Sequence, residues 1–117
     1  MSIFINELED LLEYLQHNGR CTDDTGACRY VESGHGGCAV GRRLTLQEQP
    51  KWSSYETNNV GNRYSMVQAW IGIPQFFKDW PIELVDALQE VHDSYTRPHH
   101  EHTIEAFHEE VSKHESK

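Results

Sequence analysis

Ile5, Leu8, Leu12 and Leu15, with Leu11 and Tyr14 widening the stripe, recur at helical spacing and predict a helix over residues 2–18. Gly19 is its natural stop. The period then breaks. After a turn-rich connection through Asp23, Asp24 and Gly26, two short strand-like runs, Cys28–Glu32 and Cys38–Gly41, flank the glycine-rich stretch Ser33–Gly37. This pattern predicts a cysteine-containing β-hairpin over residues 28–41. Residues 45–63 carry Pro50, Ser53, Ser54, Asn58, Asn59, Gly61 and Asn62, with little periodicity. They read as a long surface loop anchored by Trp52, Tyr55 and Val60.

Helical spacing returns at Tyr64, Val67 and Ile71, predicting a helix near 64–72, with Pro74 as a boundary before Phe76 and Phe77. The clearest helix follows over 81–95. Pro81 suits its first turn, Leu84, Leu88, Val91 and Tyr95 form its stripe, and Pro98 closes it. A last helix is predicted over 103–114, capped by Thr103 and burying Ile104, Phe107 and Val111. The expected fold class is therefore α+β: one small domain over 1–117, with three to four helices packed on a short β-hairpin.

Composition narrows the setting. With 117 residues, 37% of them hydrophobic, the chain has material for one modest core. Its apolar runs fall well short of the roughly 20 residues that cross a bilayer, and no signal-peptide pattern opens it, so a soluble, cytoplasmic protein is expected. Reduced thiols are the rule in that compartment, which argues against a disulfide framework for Cys21, Cys28 and Cys38. A net charge of −9 disfavours nonspecific binding to nucleic acid or anionic membrane and makes a basic protein surface the more natural partner.

Four groups of residues carry candidate chemistry. Cys21, Cys28, His35 and Cys38 are four ligands within eighteen residues, the number a tetrahedral structural zinc needs, although Cys21 and Cys28 are spaced more widely than in the usual pair. The plainer reading makes Cys28 and Cys38 small buried hydrophobes, with no cofactor. Cys38 as a nucleophile with His92 as base is a second candidate. Asp93 is not expected to orient that histidine, because neighbouring residues on a helix point about 100° apart. Arg42 and Arg43, after the glycine-rich turn, are candidates for binding an anion. The cluster His99, His100, His102 reads as a solvated linker, with His108 and His114 beyond it.

Cys28-Arg-Tyr30, the glycine-rich turn, Cys38-Ala-Val-Gly41 and the distant Leu88-Gln-Glu-Val-His92-Asp93 follow one another in an order that resembles a family of small bacteriophage and prophage proteins. The resemblance spans about residues 5 to 95 and implies one packed cluster of Cys28, Tyr30, Cys38, Gly41, His92 and Asp93. Cys21 and His35 lie outside the pattern, and Arg42-Arg43-Leu44 stands where the family continues with acidic residues.

The resemblance implies no reaction. It implies an accessory protein that binds a host or defence protein, or a small ligand, without catalysis. A cysteine-dependent hydrolase or transferase using Cys38 and His92 and a zinc-stabilised adaptor are the alternatives. Trp52, Trp70 and Trp80 would support a homodimer if exposed, and a core role explains them equally well.

Overall fold

The computed structural model describes residues 3–19, 38–58 and 64–115. Five helices order this part of the chain: α1 (Ile3–Asn18), α2 (Gln49–Asn58), α3 (Tyr64–Ile71), α4 (Ile82–Asp93) and α5 (His100–Glu115). Two single 3₁₀ turns, Gly41–Arg43 and Gln75–Phe77, link them.

The α+β expectation is corrected by this architecture, which is all-α among the described residues. Residues 28–37 of the expected hairpin, including Cys28, Tyr30 and His35, lie outside the described residues, as does Cys21. Its second strand, Cys38–Gly41, is a turn instead. The Arg42 N–H donates to the Cys38 carbonyl at 2.9 Å and the Arg43 N–H to the Val40 carbonyl at 3.0 Å, so the backbone bonds locally where a strand would bond across.

The second correction is α2, inside the expected 45–63 loop. The turn at 45–48 that leads into α2 is closed by a reciprocal box of capping type: the Glu48 N–H donates to Thr45 Oγ1 at 3.2 Å, and the Thr45 N–H to Glu48 Oε1 at 2.9 Å. Pro50 falls in the first turn, where a missing N–H costs nothing. One turn into the helix Trp52 is buried, and Tyr55 packs beside the core. Val60 lies outside the described residues.

The α4 helix is the centre of the fold and packs against α1, α3 and α5. Leu84, Val85, Leu88 and Val91 are buried along it, and Leu8, Leu11 and Leu15 meet the same core from α1. An aromatic chain joins the remaining elements. Trp52 stacks on Tyr64 at 6.0 Å, Tyr64 meets Phe77 edge-on at 6.4 Å, Phe77 meets Trp80 at 5.2 Å, and Trp80 meets Phe4 of α1 at 4.7 Å. Trp52 and Trp80 are therefore core residues, whereas Trp70 is 77% exposed.

The last helix starts at His100, so Thr103 lies within its first turn and is not its cap. Thr103 Oγ1 instead donates to the His100 carbonyl at 2.7 Å and lies 2.8 Å from Ser94 Oγ. That contact pins the turn between α4 and α5, in which Thr96 adopts a left-handed φ of 70°. His100 and His102 belong to α5, which replaces the linker expected there. No helix among the described residues is long and apolar enough to cross a membrane.

Candidate functional site

The turn at Cys38 and the C-terminal half of α4 meet through Gln89. The Val40 N–H donates to Gln89 Oε1 at 3.3 Å, and Gln89 Nε2 donates to Asp93 Oδ1 at 2.9 Å. His92 Nδ1 lies 2.8 Å from the same Asp93 oxygen. A carboxylate offers only lone pairs, so Nδ1 carries a hydrogen here and a neutral ring places its lone pair on Nε2. The expectation that Asp93 would not orient His92 is thus corrected. Nδ1 is the ring nitrogen nearer the backbone, and the short Asp side chain reaches it despite the angle between the two residues.

Cys38 is held in the turn, with its Sγ accepting from the Gly41 N–H at 3.4 Å. Both Cys38 and His92 have no solvent exposure. Of the cluster implied by the resemblance, the structure brings Cys38, Gly41, His92 and Asp93 to one region through Gln89, while Cys28 and Tyr30 lie outside the described residues. Three of the four proposed zinc ligands lie outside them as well. Among the described residues no three His, Cys, Asp or Glu side chains gather as a metal site would require.

Arg42 and Arg43 reach back to α1. Arg42 pairs with Glu7 and Asp10 at 2.8 Å each, and Arg43 pairs with the same two carboxylates at 2.7–2.8 Å. Two cations against two anions leave no net charge for an external anion to answer. The Arg42 hydrogen bond, followed by the charges of both arginines, holds the Asp10 carboxyl below its ordinary range despite some burial. The Glu7 hydrogen bond raises Arg43 in turn. Sequence reasoning missed Glu7 and Asp10. The available signal was Glu7 itself, a carboxylate one position before Leu8 on the buried side of α1, which needs a cation.

A second feature lies on another face of α4. Between α4 and α5 runs an open groove of about 460 Å³. Ala87 and Ala106 give it a small apolar floor, and Glu83, Asp86, Glu90, Glu109 and Glu110 line it; of these Asp86 also accepts the Ser65 N–H at 3.1 Å and Glu110 pairs with Lys113 at 3.2 Å. His102 and Thr103 complete the α5 side.

No family model, curated protein or solved structure matches this chain. The Gln89 cluster and the groove differ in their access to solvent. The cluster is internal: its hydrogen bonds fasten the Cys38 turn to α4, and a substrate would have to reach two groups without solvent exposure. The groove faces outward and carries much of the acidic excess of α4 and α5.

Proposed function

We propose that the chain is a noncatalytic accessory protein of phage or prophage type that works in the host cytoplasm by occupying a basic surface of a host or defence protein. The observation that carries this reading is the acidic-walled, apolar-floored groove between α4 and α5. Charge of that sign steers a basic partner in, and the alanine floor leaves room for an apolar anchor. The net charge of −9 and the resemblance to small phage proteins support it.

The test is capture from bacterial lysate by the immobilised chain, compared with the charge-reversed double variant Glu83→Lys/Glu109→Lys. A basic protein retained by the wild type and lost by the variant is the expected result. The same partners on both, or none on either, would overturn the reading.

One observation favours a second reading, a thiol enzyme using Cys38 and His92: the 2.8 Å pairing of His92 with Asp93 supplies an oriented base. The burial of both groups counts against it. In the native protein, iodoacetamide should label Cys38 no faster than Cys21 or Cys28, and labelling at least about tenfold faster would restore the enzyme reading.

A further inference from the structure

The groove has a periodicity of its own. Its α4 side is made by Glu83, Asp86, Ala87 and Glu90, and its α5 side by residues 102–103, 106 and 109–110. Both sets recur every three or four residues, so each wall is a ladder of two helical turns, about 11 Å long. The turn at 94–99 doubles the chain back, which puts Glu83 toward Glu109 and Glu110, and Glu90 toward His102. Acidic rungs are therefore densest at one end, and the two alanines lie midway.

We propose, resting on the binding reading above, that the occupant of this groove is a single amphipathic helix of the partner with an apolar centre and Lys or Arg one turn to either side. A helix presents side chains at the same three- and four-residue intervals as these rungs, and small residues at the middle of a groove let an apolar anchor approach closely. An extended segment, alternating every two residues, would match neither wall. The basic side chains concentrate toward the Glu83 end, where Glu83 and Glu109 are both exposed; Glu110 beside them already pairs with Lys113 at 3.2 Å. The added helix would complete a three-helix layer with α4 and α5.

The experiment uses fluorescence anisotropy on the full chain with labelled synthetic peptides of about 12 residues, long enough to span both turns. One has leucines at the centre of a helical face flanked by lysine and arginine; a second is a scramble of identical composition that breaks the face. The ordered peptide should bind at least about tenfold tighter than the scramble and gain helical circular dichroism on binding. Ala106→Leu, which fills the floor from an exposed position, and Glu83→Lys/Glu109→Lys should each weaken it about tenfold or more, with the fold checked by the protein's own circular dichroism.

Equal binding of ordered and scrambled peptides would reduce the groove to a nonspecific polycation surface and overturn the inference, as would binding indifferent to Ala106→Leu. The two failures are separable. If neither peptide binds but a lysate protein is still captured and lost on Glu83→Lys/Glu109→Lys, the helix is wrong and the binding function stands. If the charge reversal changes no capture, the function itself falls.

Discussion

Glu7 is a buried carboxylate on an otherwise apolar side of α1, tolerable because two guanidiniums answer it. Removing that charge while keeping its shape leaves Arg42 and Arg43 without their inner partner. Glu7→Gln should accordingly cost about 3 kcal/mol, read from the midpoint of urea unfolding at unchanged slope. Asp10 shares the same arginines but is half exposed, so solvent screens its contribution. Its carboxyl is depressed from an ordinary value of 3.8, so its stabilisation is complete above that pH and is lost as pH falls through the lower folded value. Asp10→Asn should flatten the acid limb of a stability–pH profile below about pH 4 while leaving neutral stability within about 0.5 kcal/mol. The tryptophans divide just as sharply. Trp52→Ala opens a core cavity and should cost about 3–5 kcal/mol, whereas Trp70→Ala on the exposed side of α3 should change stability by less than about 0.5 kcal/mol.

At the scale of elements, the helices that were legible announced themselves by stripes of leucine and valine. Leu8, Leu11 and Leu15, and Leu84, Leu88 and Val91, bury the faces their spacing predicted. The α2 helix was hidden because its composition, with Pro50, Ser53 and Ser54, is that of a loop. What makes it helical is the Thr45–Glu48 box and the anchorage of Trp52 on Tyr64. The spacing Thr-x-x-Glu was present in the sequence and carries more information there than the apolar count. Glu48 also accepts the Gln75 N–H at 2.8 Å, tying α2 to the second 3₁₀ turn. Thr45→Ala should therefore cost about 1 kcal/mol, the usual loss for a side-chain bond of capping type, with the amides of the 45–48 turn and the start of α2 losing hydrogen-exchange protection first. Cys38–Gly41 misled for the opposite reason. Four small or β-branched residues satisfy a strand pattern locally, but the long-range bond from Val40 to Gln89 selects a turn.

Two kinds of electrostatics act on the whole molecule and oppose each other. The Glu7–Asp10–Arg42–Arg43 cluster is compact, and with Glu7 and Arg42 buried at its centre dissolved ions screen its inner pairs weakly. Glu83, Glu90 and Glu109 of the α4–α5 groove are exposed in a chain of net charge −9, and their repulsion extends over about 10 Å at 0.1 M salt. Polar features of this kind were only partly legible. The excess of acid was plain in the composition, but its gathering on α4 and α5 depended on the turn that folds one helix onto the other. Salt should thus stabilise the protein by relieving the groove more than it weakens the cluster. Raising sodium chloride from about 10 to 150 mM should raise the thermal midpoint, with a smaller rise in Glu83→Lys/Glu109→Lys, whose groove keeps Asp86, Glu90 and Glu110 against two lysines. A midpoint that falls with salt in both proteins would mean that the ion cluster dominates, and that the groove carboxylates are too far apart to act as one surface on each other or on a basic partner.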